Sequence, residues 1–187
     1  MTLPLLVVFL SKFVIFAVLG LMFFRKAKPN LMWILTAMPF AINSALLIVC
    51  YLSPGFLPSV ASTPPYEYVR AVAAALCVAA IALYMFTLGS HRVAIPGWHQ
   101  PQDKPSQLVT WGPYQRIRHP FYSSYVLFFV ASALVARAWP VLLNALYQLA
   151  IINFTAAREE RDLSAHFGDD YERYCATTGR FVPRLSC

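Results

Sequence analysis

The sequence predicts an all-α, polytopic integral membrane protein with five transmembrane helices and a cytoplasmic pocket formed by the 89–120 loop and the C-terminal helices. Three observations predict it. Of 187 residues, 59% are hydrophobic and only 12% charged, whereas soluble domains carry roughly 25% charged residues. Five apolar runs are separated by polar or turn-rich segments. Twelve of the fifteen Lys and Arg fall at 25–28, 92–118 and 158–184, three segments that an odd number of spans puts on one side, which the positive-inside rule makes the cytoplasm. That clustering, beside apolar runs, also accounts for the net charge of +7 without a nucleic-acid partner.

Leu3 to Phe24 is interrupted only by Ser11 and Lys12 and is long enough for a hydrocarbon core of about 30 Å. Positive charges follow this run at Arg25, Lys26 and Lys28 rather than precede it. That argues against a cleaved signal peptide and puts the N-terminus outside. Leu31 to Leu52 forms the returning span, with Pro39 a possible bend, and the Pro-, Ser- and Gly-rich stretch 53–67 suits an outer connection. Ala71 to Leu88 is the third span, ended by Gly89.

From Ser90 to His119 the chain is polar and punctuated by Pro and Gly, a pattern that disfavours long regular elements. Loops of this length are usually functional. Phe121 to Ala136 and Val141 to Ala157 are apolar and flank Arg137-Ala138-Trp139-Pro140. A single helix through both would bury an Arg and a Pro in hydrocarbon, so a hairpin with Arg137 and Trp139 at the outer surface is expected. A separate cytoplasmic helix is expected from Arg158, capped by Gly168. Asp169 with Glu172 reads as a capping box that opens a second short helix.

Potential chemistry concentrates at the hairpin's cytoplasmic ends. Gly112 to Tyr122 sets Arg116, Arg118 and His119 against the start of an apolar run. His119 precedes a proline, so the α region is disfavoured for it, while Pro120 suits a first helical turn. The cations therefore sit beside unpaired amides that favour an anion. The hairpin brings Arg118, His119 and Tyr122 opposite Glu159 and Glu160. Spans two to five hold almost no ionisable residue in their middles, which weakens a transport reading. Neither the four cysteines nor the four histidines show metal spacing, so no metal is expected.

Two blocks carry a resemblance: Gly112-Pro113-Tyr114 with Arg118-His119-Pro120 and Tyr122, then Glu159-Glu160-x-x-Leu163-x-x-x-Phe167-Gly168-x-x-Tyr171-x-x-Tyr174. Together they resemble the isoprenylcysteine carboxyl methyltransferase family and, more loosely, the related phospholipid N-methyltransferases. The likeness spans about residues 106 to 185. It implies an integral membrane methyltransferase that uses S-adenosylmethionine and takes a lipophilic small-molecule substrate entering from the bilayer, with membrane lipids as further partners. The apolar runs themselves divide the chain into residues 1–88, three N-terminal spans, and 89–187, the expected catalytic region containing the hairpin 121–157. By position, Ser106, Gln107, Leu108, Val109, Tyr114, His119, Pro120, Phe121, Tyr122 and Glu159 would line the cofactor. The resemblance further implies methylation of a carboxylate of the isoprenylcysteine type, with N- or S-methylation of a phospholipid amine or small thiol, or a non-enzymatic membrane protein or transporter, as alternatives.

A carboxylate or thiolate nucleophile is already ionised, so no proton-transfer residue is assigned. Catalysis would be positioning by Arg118, His119, Tyr122 and Glu159. The family pattern has an arginine for the substrate carboxylate where this chain has Thr155. Either Arg158, three residues along, substitutes for it, or the substrate lacks that carboxylate. Arg173, Arg180 and Arg184 read as lipid-surface residues, and His91, His99 and His166 as interfacial or solvated. Leu163, Phe167, Tyr171 and Tyr174 read as packing that folds the tail over the site. A bacterial or archaeal inner membrane is expected, with the endoplasmic reticulum as the alternative.

Overall fold

The computed structural model describes residues 2–12, 31–60, 67–91 and 107–184. Within them are six α-helices and no strand: α1 (Leu3–Lys12), α2 (Leu31–Leu52), α3 (Glu67–Gly89), α4 (Pro120–Ala136), α5 (Trp139–Phe167) and α6 (Asp169–Thr177), with a 3-10 turn at Gly112–Gln115. Expectations for the Arg25–Lys28 cluster and for most of the 89–120 loop, including His99 and Ser106, lie outside the described residues. Two helices, α3 and α5, are long and apolar enough to cross a membrane, while α1, Ala37–Leu52 and α4 are apolar but shorter.

The core is built where α4 packs on α3 and α5 packs on both α2 and α4. Phe40 meets Tyr125, Phe128 and Phe129 at ring separations of 4.9 to 5.9 Å, and Phe9 of α1 reaches Phe128. Polar side chains join helices inside this apolar body. Asn43 Nδ2 donates to Ser132 Oγ at 2.9 Å, and Asn144 Nδ2 donates to the Pro39 carbonyl at 3.0 Å. Proline at 39 removes the amide that the Leu35 carbonyl would accept, and the Tyr147 hydroxyl lies 3.5 Å from that oxygen.

The expected hairpin is present. Arg137 takes a left-handed conformation, φ 49°, and closes α4; Ala138 then leads into α5. The turn is held by the 53–60 segment, through Val60 N–H to the Arg137 carbonyl at 2.8 Å and Trp139 N–H to the Pro58 carbonyl at 2.9 Å.

Three sequence expectations need correction. The third helix begins at Glu67 rather than Ala71, with Arg70 paired to Glu67 across its first turn. There is no separate helix from Arg158. No Gly or Pro follows Pro140 until Gly168, so α5 runs on through Ala157 for 29 residues, about 43 Å at 1.5 Å per residue. That exceeds a hydrocarbon core of about 30 Å, and both glutamates lie in its C-terminal third. The capping box is absent: Gly168, φ 54°, is itself the N-cap of α6 and Asp169 is already helical, without a side-chain cap.

Candidate functional site

The structure joins α4 and α5 through the two blocks singled out in the sequence. His119 is the N-cap of α4 and Pro120 its first residue, so the ring is fixed at the helix entrance and is buried. Across from it, consecutive glutamates on α5 divide the work. The Tyr122 hydroxyl donates to Glu159 Oε1 at 2.6 Å. His119 Nδ1 lies 3.5 Å from Glu159 Oε2 and Nε2 lies 3.3 Å from Glu160 Oε1. Carboxylates only accept, so a carboxylate at each ring nitrogen favours the doubly protonated imidazolium. Burial pushes the His119 pKa down, but hydrogen bonds to Glu159 and Glu160 and their charges outweigh it, leaving the pKa above the ordinary 6.5.

Glu160 is the hub. Its Oε1 accepts from Arg118 Nε at 3.0 Å and Arg180 Nε at 3.1 Å, and Oε2 pairs with Arg180 Nη2. Burial alone would raise its pKa; hydrogen bonds from His119, Arg180 and Arg118 hold it well below the carboxylate range. Arg118 also donates to the carbonyls of Cys175 and Thr178. It therefore also holds the C-terminal segment.

That segment pairs with the entrance of α4. Ile117 and Gly179 form a parallel bridge, with Arg118 N–H to the Gly179 carbonyl at 2.8 Å, His119 N–H to the Arg180 carbonyl at 3.1 Å and Gly179 N–H to the Arg116 carbonyl at 3.1 Å. Ser123 Oγ donates to the Phe181 carbonyl at 2.7 Å. Residues 178–181 thus form a strap across Arg118 and His119.

Behind the hub, Tyr174 donates to the Tyr114 carbonyl at 2.7 Å, and the Tyr114 hydroxyl lies 3.0 Å from His91 Nε2. Gly112, φ 62°, lets this turn press onto the end of α3; a Cβ there would lie 2.2 Å from Ser90 Oγ. His91 and Arg180, read from sequence as interfacial or lipid-facing, are therefore parts of this assembly. Nothing local in the sequence marks Arg180, because its partner lies 20 residues back on another element. Of the other expected residues, Gln107 is exposed and Leu108 and Val109 are half-buried, in extended chain before the turn. Phe121 is half-buried, its ring 5.8 Å from His91. Thr155 is buried, with no hydrogen-bond partner for Oγ1 among the described residues, and Arg158 is exposed.

A family model for phospholipid methyltransferases matches residues 69–170, more than half of the chain. The chain belongs to the phospholipid methyltransferase family. It is accordingly a methyltransferase, of a family related to the isoprenylcysteine carboxyl methyltransferases that the sequence blocks resemble. The matched range contains all but the first two residues of α3, the hairpin and both glutamates, whereas the strap lies beyond its end. A comparison with curated protein sequences gives no match.

Proposed function

We propose that this methyltransferase uses S-adenosylmethionine and acts on a lipophilic acceptor that reaches the α4–α5 junction from the bilayer. The observation that carries the reading is the joining of Tyr122 and His119 to Glu159. In this reading five helices cross a bacterial or archaeal inner membrane, with the N-terminus outside, and the junction faces the cytoplasm. The residues fit the cofactor. Glu159 keeps a third of its side chain exposed, which suits an ammonium or ribose hydroxyls, and the first-turn amides of α4 suit a carboxylate. Tyr114 and Tyr122 offer ring faces for adenine or a sulfonium. When bound, the cofactor supplies an electrophilic methyl group.

The residues then act by positioning, worth about 7 to 11 kcal/mol in well-oriented systems. Arg118 and Arg180 are both held by Glu160, and neutral Thr155 occupies the position of the expected arginine. An amine acceptor therefore suits the site better than a carboxylate. Glu159 and Tyr122 would orient its N–H groups, and its proton would leave to solvent past the exposed side of Glu159, so that the freed lone pair would face the methyl group, whose bond to sulfur breaks on transfer to leave S-adenosylhomocysteine. Carboxylate O-methylation of the isoprenylcysteine type is the second reading, favoured by Arg158 three residues from Thr155.

The test is calorimetric binding of S-adenosylhomocysteine in lipid nanodiscs, followed by transfer of labelled methyl to aminophospholipids, prenylcysteine analogues and thiols. A base-stable lipid product supports the amine, and base-labile release of labelled methanol supports the carboxylate. Unchanged binding in both His119→Ala and Glu159→Ala overturns the site.

A further inference from the structure

We propose that Arg180 is a positioning residue for methyl transfer: by clamping Glu160 from the C-terminal strap, it fixes His119 between the two glutamates and so sets how Glu159 faces the cofactor. The proposal rests on the methyltransferase site described above and adds a residue that lies outside the family-matched range.

The geometry carries it in three steps. First, the strap is seated by backbone rather than by chance side-chain contact. Three main-chain hydrogen bonds tie Gly179 and Arg180 to 116–119, and Gly179 permits them, since a Cβ there would lie 1.9 Å from the Val182 carbonyl oxygen. Second, Arg180 uses both arms. Nε and Nη2 take the two oxygens of Glu160, a fork geometry that fixes the carboxylate plane, and Nη1 reaches Asn153 Oδ1 at 3.3 Å, about two turns back along α5. Third, the oxygen of Glu160 that Arg180 Nε holds is the one facing His119 Nε2. The opposite ring nitrogen faces Glu159. An imidazole held on one side presents its other side in one direction only.

His119 is surrounded by Glu159 and Glu160 from α5, the Tyr122 ring stacked 5.5 Å away on α4, Phe181 of the strap at 6.0 Å, and Arg118 as its chain neighbour. Arg118 and Arg180 neutralise Glu160 from two sides. Removing Arg180 leaves more uncompensated negative charge at the imidazole, which favours its protonated form. Arg180 is also 37% exposed, against 14% for Arg118, so it can be exchanged without opening the core.

The experiment uses the full chain in nanodiscs, comparing wild type with Arg180→Gln and Arg180→Lys. The readouts are the NMR titration of His119 in histidine-labelled protein, calorimetric affinity for S-adenosylhomocysteine, and thermal unfolding. For Arg180→Gln the His119 titration moves up by about one pH unit, as expected for loss of one nearby compensating charge, and affinity falls about tenfold or more, about 1.4 kcal/mol. Arg180→Lys restores the titration but not the full affinity, because an ammonium supplies charge without the fork. A lowered unfolding temperature with titration and affinity both unchanged would make Arg180 merely structural and overturn the proposal. Should Arg180→Gln not fold, Arg180→Lys decides, with unchanged affinity counting against. If wild type binds no S-adenosylhomocysteine, the site reading fails, while the His119 titration still judges the clamp.

Discussion

Tyr122 on α4 and Glu159 on α5 are joined by a 2.6 Å hydrogen bond between the phenol and the carboxylate, although 37 residues and a complete helical hairpin separate them in the chain. The bond orients the more exposed of the two glutamates. Hydrogen bonds to charged groups contribute about 1.5 to 3 kcal/mol. Tyr122→Phe should therefore weaken S-adenosylhomocysteine binding by roughly ten- to hundredfold while leaving the fold intact, since the ring remains. Calorimetry with circular dichroism checks this, and unchanged affinity would remove Tyr122 from the site.

Glu160 and His119 give stability a pH window. The Glu160 pKa is depressed, so its contribution is present above its ordinary 4.5 and is lost as pH falls toward the folded value. The His119 pKa is raised, so its contribution is full below 6.5 and is lost as pH rises through the folded value. The unfolding temperature should accordingly be highest between about pH 4.5 and 6.5 and decline on both sides. Glu160→Gln should lower the maximum and flatten the acid slope. Thermal unfolding at a series of pH values decides, and an acid slope that survives in Glu160→Gln would assign it to other carboxylates.

Much of this arrangement is legible in the sequence because local chemistry writes it there. His119-Pro120 announces a helix entry, Arg137 to Pro140 announces a turn between two apolar runs, and a hairpin brings its ends together. The α5 boundary misleads for a physical reason: polarity changes at Arg158, but no helix breaker stands there, and backbone continuity follows breakers rather than polarity. Arg180 and His91 escape because their roles come from long-range pairing. Ile117 meets Gly179 by a backbone bridge that leaves no periodicity in either segment, so an arginine on the strap reads like any basic tail residue.

Gly179 tests the strap separately. An added Cβ would meet backbone atoms, the Val182 carbonyl oxygen at 1.9 Å and the Arg184 amide at 3.0 Å, so the chain itself has to shift. Gly179→Ala should cost about 1 to 3 kcal/mol and expose Arg180 and Arg184 to trypsin. Gly89→Ala is the control: a Cβ there meets nothing within 4 Å and its φ is not positive, so at a helix end it should be neutral or stabilising by up to about 1 kcal/mol. Equal trypsin resistance of Gly179→Ala and wild type would show that the strap tolerates the side chain.

Lys12 separates fold from function. It is fully buried on α1, with Nζ donating to the Ala80 carbonyl at 3.1 Å and lying 4.5 Å from the centroid of the Tyr84 ring. A cation inside an apolar helix bundle is expensive to desolvate, and a carbonyl with a ring face offsets only part of that. Methionine keeps most of the volume and removes the charge, so Lys12→Met should change stability by less than about 1.5 kcal/mol. Lys12→Ala leaves a cavity and should lose about 2 to 5 kcal/mol. Tyr84 packs on Phe121 at 5.3 Å, so the lysine lies two rings from the proposed site without touching it. Methyl transfer by Lys12→Met should stay within about twofold of wild type, since uniform packing effects shift rates little. Steric-trap unfolding in lipid and initial rates measure both. A folded Lys12→Met protein that has lost transfer would move Lys12 from scaffold to the acceptor's path.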